Sequence, residues 1–136
     1  MRDVSRFAVR TETALRFEDA IGRVKELLKG EGFGILIDHD VQATMKEKIG
    51  IDFKPYRLLE ACDPGFAHQT LEVEPCLGVF FPINVVIWDE GDRRVVAALE
   101  PRFMSELVGG VGIDDISAEV SARLHRVIEG MSEPAG

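Results

Sequence analysis

Cys62 is the residue best placed to do chemistry. It stands directly before Asp63-Pro64, a helix-start signal in which the aspartate caps and the proline takes the first helical position, where its missing N–H costs nothing. Unpaired N–H groups at a helix N-terminus favour thiolate, which is one way reactive cysteines arise. The neighbouring Asp63 carboxylate pushes the other way. Tyr56, Leu58, Glu60 and Cys62 alternate through the preceding segment, so as a strand they share one face and set a carboxylate beside the thiol. The plainer alternative is a structural cysteine at a strand end. Asn84 is the second polar residue of note, because it interrupts an apolar run just after Pro82. An unpaired buried amide costs about 1–3 kcal/mol. Asn84 is therefore expected to cap the bend at Pro82 by bonding backbone groups, or else to line a pocket. Glu60, Cys62 and Asn84 are the candidate ligand-binding residues, and no catalytic residue is assigned.

The remaining chemistry-bearing residues form no recognisable constellation. Cys62 and Cys76 have neither the C-x-x-C redox spacing nor a zinc spacing, and a disulfide between them is not expected in a reducing compartment. His39, His68 and His125 are scattered. His68 and Glu72 lie one helical turn apart, but two ligands do not make a metal site and a solvated helix face is expected. His125, beside Arg123 and Arg126, is expected at the surface. No serine sits in a G-x-S-x-G elbow. Gly109-Gly110-Val111-Gly112 lacks the Lys-Ser/Thr of a phosphate loop, and Gly30 to Gly34 follows a helix instead of preceding one. No cofactor and no metal are expected.

The elements that must position these residues follow from periodicity. Residues 4–10 read as a first strand. Phe17, Ile21, Val24, Leu27 and Leu28 recur at helical spacing, with acidic residues early and Lys29 late, as the helix dipole favours. Gly30 and Gly32 end that helix and release a strand at 33–37. A two-turn helix at 43–49 stops at Gly50, and a strand at 56–62 leads into a helix running to about Val73. Residues 77–81 and 85–88 read as strands around the Pro82 bend, and Glu90-Gly91-Asp92 turns the chain into a strand at 94–99. A short helix at 103–108 and the mobile glycine segment 109–112 precede a final helix marked by Ile116, Val120, Leu124, Val127, Ile128 and Met131. One domain over 1–136 is expected.

From Val79 to Trp88 both faces are apolar, with Phe80, Val86 and Trp88 on one side and Val79, Phe81, Val85 and Ile87 on the other. A strand apolar on both sides needs cover on both sides. A homodimer is expected to supply the second cover.

Composition narrows the function classes. The chain has 136 residues, 46% of them hydrophobic, which is enough for a full core and excludes intrinsic disorder. The net charge is −8 and its placement is uneven: residues 1–57 carry 11 basic and 10 acidic side chains, residues 58–136 only 5 basic against 14 acidic. A duplex binder needs gathered Lys and Arg, so nucleic acid is not an expected partner. Residues 1–10 lack the apolar centre of a signal peptide, and the apolar run at 77–88 is too short and too interrupted to span a bilayer. A cytoplasmic protein that makes no membrane contact is expected.

Several passages together carry a resemblance. Glu31-Gly32-Phe33-Gly34 and Ala43 to Gly50 lead to the most specific stretch, Tyr56-Arg57-Leu58-Leu59-Glu60-Ala61-Cys62-Asp63-Pro64 with Ala67, and then Phe81-Pro82-Ile83-Asn84-Val85-Val86. Over about residues 16–131 the chain resembles the family known as domain of unknown function 302. The resemblance implies an α+β two-layer sandwich with a mixed or antiparallel sheet, similar to one half of the TATA-box-binding-protein fold and commonly dimeric. Family members often carry a Cys in a Leu-Pro-Cys-Asn segment; this chain has Ile83 there and lacks that second thiol. The functional expectation is a non-catalytic homodimer that binds a small ligand or a protein partner, and the alternative is a thiol-dependent redox or sulfur-handling protein using Cys62.

Overall fold

In the computed structural model, which describes residues 4–109 and 112–132, strands and α-helices alternate as far as the third helix, and two strands and then two helices follow. The elements are β1 (Ala8–Thr13), α1 (Phe17–Gly30), β2 (Gly34–Asp40), α2 (Val41–Ile49), β3 (Tyr56–Cys62), α3 (Pro64–Val73), β4 (Ile83–Asp89), β5 (Arg94–Leu99), α4 (Pro101–Val108) and α5 (Asp114–Met131). The five strands form one sheet in the order β1-β5-β4-β3-β2, and every neighbouring pair is antiparallel. The result is the α+β two-layer arrangement.

Alternation decides which residues meet the helices. Leu59 and Ala61 of β3, Val85 and Ile87 of β4, and Val96 and Ala98 of β5 are buried against the helix layer. That layer is α1 and α5, which bring Ala20, Val24 and Leu28 from one helix and Leu124, Val127 and Ile128 from the other. Both helices bury one stripe at the spacing read from the sequence. At the end of α1 the Phe33 N–H donates to the Leu28 carbonyl, which Gly32 makes possible by adopting φ +88°.

Three local readings are corrected. The first strand starts at Ala8, not Val4, because the N–H groups of Phe7 and Ala8 both donate to the Val4 carbonyl and close a turn. Residues 77–81 are not a strand. Pro75–Phe80 forms a short 3-10 helix, started by Pro75 and by the Glu74 carboxylate, which accepts the Cys76 N–H. Val79 is consequently 83% exposed and no part of an apolar strand face. Asn84 does not cap the bend. It lies inside β4, whose Ile83, Val85 and Ile87 enter the core while Asn84, Val86 and Trp88 point to the opposite face. Of the glycine-rich segment 109–112, residues 110 and 111 lie outside the described residues.

Candidate functional site

The face of the sheet opposite α1 and α5 collects the residues singled out in the sequence. Glu60 and Asn84 are direct partners in the β3–β4 register. Cys62 follows two residues after Glu60 on the same face and is paired with Gly34 of β2. Glu60 has no side-chain partner among the described residues, and Asn84 is exposed.

Cys62 is half-buried, and the helix signal beside it works against the thiol. The Asp63 carboxylate, not the sulfur, accepts the Gly65 and Phe66 N–H groups that open α3. Burial first, and then the Asp63 charge, push the Cys62 thiol above its ordinary range. Cys76 is exposed, and both cysteines are free.

Beside this trio, over β4, β5 and β1, the same face sinks into a groove of about 350 Å³. Its floor is built by register. Val86 of β4 is paired with Ala97 of β5, Ala97 with Arg10 of β1, and Trp88 with Tyr56 of β3. The Tyr56 and Trp88 rings stack with centroids 5.9 Å apart and planes 7° from parallel. Phe53 adds a third ring, 6.2 Å from Tyr56. Phe7 from the N-terminal turn and Phe80 from the 3-10 helix form the walls. The polar groups on the lining are few: the Tyr56 phenol, the Asn84 amide, and the Arg10 guanidinium lying 5.5 Å from the Trp88 ring centroid, with the Trp88 indole N–H engaged elsewhere. Among the described residues Arg10 has no ion pair or hydrogen bond. The indole Nε1–H of Trp88 is taken by Glu90, outside the groove lining. Of the three expected site residues only Asn84 lines the groove.

Other clusters are internally satisfied. A larger hollow of about 680 Å³ is lined by Arg6 and Arg102 together with Glu100, Glu106 and Asp114, but its arginines face Glu106 at 3.7 Å and Glu100 at 3.8 Å. His125 Nε2 lies 2.8 Å from Glu100 Oε1, joining α5 to the start of α4. His68 and Glu72 form an exposed pair on α3. Among the described residues no group of three or more His, Cys, Asp or Glu is placed to hold a metal, and no helix is long and apolar enough to cross a membrane.

The sequence matches the model of the family described as domain of unknown function DUF302 over residues 7–131. The chain belongs to the DUF302 family. Among solved structures it is similar to the crystal structure of an uncharacterized conserved DUF302 protein from Bacillus stearothermophilus, with 27% identity, a TM-score of 0.85 and coverage of 92% of this chain and 98% of that one. No curated protein matches it. The DUF302 match begins at residue 7, not near 16, and so takes in β1, the strand that carries Arg10. All of the groove lining except Val4 thus falls within the family region. Position 83, where family members often have cysteine, is an isoleucine only 4% exposed and turned into the helix-side core.

Arg10, Trp88, Phe7 and Phe80 were not singled out as site residues by sequence reasoning. The usable signal was the chain's lone Trp and lone Tyr, both on strand faces. What was missing was the register that stacks them.

Proposed function

We propose that this DUF302 protein is a non-catalytic binding protein whose working surface is the open-face groove, and that its occupant is a small apolar molecule. The observation that carries the reading is the groove itself: about 350 Å³ of space floored by aliphatic and aromatic side chains, with Arg10, Asn84 and the Tyr56 phenol as the few polar groups on its lining. Concave, mostly apolar lining with a few polar groups is the usual make-up of small-molecule sites, and this volume falls at the small end of the roughly 300–1,000 Å³ they span. The polar groups suit recognition better than reaction. A guanidinium and a side-chain amide donate hydrogen bonds that hold and orient a bound molecule, and neither is the usual proton relay of a catalytic site. The lining contains no nucleophile of the thiol or hydroxyl type apart from the Tyr56 phenol, and burial raises the pKa of that group.

Trp88 is the only tryptophan, so its emission reports directly on the groove. The neutral probe N-phenylnaphthylamine is expected to bind saturably, with energy transfer from Trp88. Val86→Asp, which sets a charge on the floor, and Phe7→Ser, which removes a wall residue already 46% exposed, are each expected to weaken binding at least tenfold. Absence of saturable binding to a folded protein overturns the reading. It is also overturned if native mass spectrometry shows a dimer that Val86→Asp dissociates, for then a second copy of the chain is what fills the groove.

A further inference from the structure

We propose that the groove selects a monocarboxylate, an apolar or aromatic body ending in one negative charge that is read by Arg10; this rests on the groove being a small-molecule site. Arg10 is the observation that separates this from a merely greasy cleft. Its guanidinium lies over the Trp88 ring, 5.5 Å from the centroid. A guanidinium held over a ring spends its face on the π-system and keeps its edge N–H donors for another partner. The arginines flanking the site do not share this condition. Arg93 bonds Glu12 at 3.0 Å and Arg94 meets Asp89 at 3.4 Å, whereas Arg10 has no carboxylate among the described residues. A planar fork with free edges at the margin of an apolar groove matches a carboxylate in both charge and shape.

The rest of the face argues for a single charge. The groove shares its sheet face with Glu60, which lies three strands from Arg10, about 14 Å at the usual interstrand spacing of about 4.8 Å. The chain as a whole carries −8. At physiological ionic strength charges beyond about 8 Å are screened, and the nearer Glu12 and Glu90 are already engaged by Arg93 and by Trp88 and Lys54, so Arg10 sets the sign of the ligand. A ligand with several negative charges would leave all but one of them without a cation, because Arg10 is the one charged residue among the described residues of the groove lining. The apolar floor from Val86 and Ala97 to the stacked Tyr56–Trp88 pair receives the body of the molecule.

The test is a matched pair of probes followed by Trp88 emission: hydrocinnamate and its neutral counterpart, hydrocinnamyl alcohol. The protein is expected to bind the carboxylate about tenfold more tightly, the difference that about 1.4 kcal/mol of charge-assisted hydrogen bonding produces. The preference is expected to shrink as salt is raised. Arg10→Gln should remove the preference by weakening the carboxylate more than the alcohol, while Arg10→Lys should retain part of it. If alcohol and carboxylate bind equally to the unmodified protein, the carboxylate inference falls and the groove reading stands. If Arg10→Gln weakens both probes alike, Arg10 shapes the groove without reading charge, and the inference falls again. If neither probe nor the neutral naphthylamine binds, it is the groove reading itself that fails.

Discussion

A cysteine at the end of a strand, one residue before a helix cap, carries two opposite signals, and Cys62 shows how neighbouring groups decide between them. The N–H groups of α3 that would favour a thiolate are taken by the Asp63 carboxylate. What remains for the sulfur is burial and the Asp63 charge, both of which favour the neutral thiol. The protein contains its own control in Cys76, which is free and exposed. In the native protein at mildly alkaline pH, alkylation by iodoacetamide is expected to label the exposed Cys76 well before Cys62, with the Cys62 rate still climbing above the ordinary thiol range. Peptide mapping by mass spectrometry over a pH series reads both rates at once. Equal rates, or a faster Cys62, would contradict this account and revive the thiol-dependent reading.

Between elements, the junction where α1 ends, α3 begins and α5 passes depends on one arginine. Arg123 of α5 donates to the Glu31 carbonyl at 3.0 Å and to Asp63 Oδ2 at 3.1 Å, and its guanidinium sits 4.6 Å from the Phe66 ring centroid. Gly32 lies under this clasp at φ +88°, and a Cβ there would come within 3.0 Å of the Arg123 guanidinium. Gly32→Ala therefore combines left-handed strain of about 1–2 kcal/mol with displacement of the clasp. A urea titration should show the midpoint falling with little change in slope, whereas Gly22→Ala, with open space around the new methyl in mid-helix, should not lower it. An unchanged midpoint for Gly32→Ala would mean that the clasp carries no stability. The helices of this junction were readable beforehand because Asp63-Pro64 and the Phe17-to-Leu28 stripe are local signals. The segment at 77–81 was misread because an apolar run has the same composition whether extended or coiled, and the deciding contact, Glu74 to the Cys76 N–H, is a side-chain choice. The pairing of Glu60 with Asn84 put two of the expected site residues side by side. The groove is not legible in the sequence for the complementary reason: Arg10, Trp88 and Phe80 come from β1, β4 and the 3-10 helix, and only strand order and register bring them together.

For the molecule as a whole, the uneven −8 has to be weighed against the ion pairs that join its elements. Asp38 of β2 meets Lys25 of α1 at 2.6 Å and Arg57 of β3 at 3.1 Å, Glu31 meets Arg126 of α5 at 2.9 Å, and Glu100 meets His125 of α5 at 2.8 Å. Burial alone would raise the Asp38 carboxyl, but hydrogen bonds from Lys25 and Arg57 bring it below its ordinary value. The hydrogen bond from Arg126 lowers Glu31 in the same sense. Burial likewise opposes ionisation of Glu100, and is outweighed by hydrogen bonds from His125, Ser121 and the Arg102 N–H. Each of these groups binds a proton less readily when folded than when unfolded, so their stabilisation is complete above the ordinary carboxyl range, near pH ~4, and is lost as pH falls through the lower folded values. Relief of the −8 repulsion on acidification works in the opposite direction, but it acts between surface charges that salt screens beyond about 8 Å, whereas the pairs are in contact. Contact should win. At physiological ionic strength, calorimetry is expected to give a nearly level Tm from about pH 7 to 5 and a steep fall below about pH 4.5. Glu100→Gln keeps the shape of this buried side chain but not its charge, and should make that acid fall shallower at the cost of a lower Tm at neutral pH. A Tm that rises as pH drops from 5 to 4 would show instead that long-range repulsion, not the paired carboxylates, sets the acid limit of this fold.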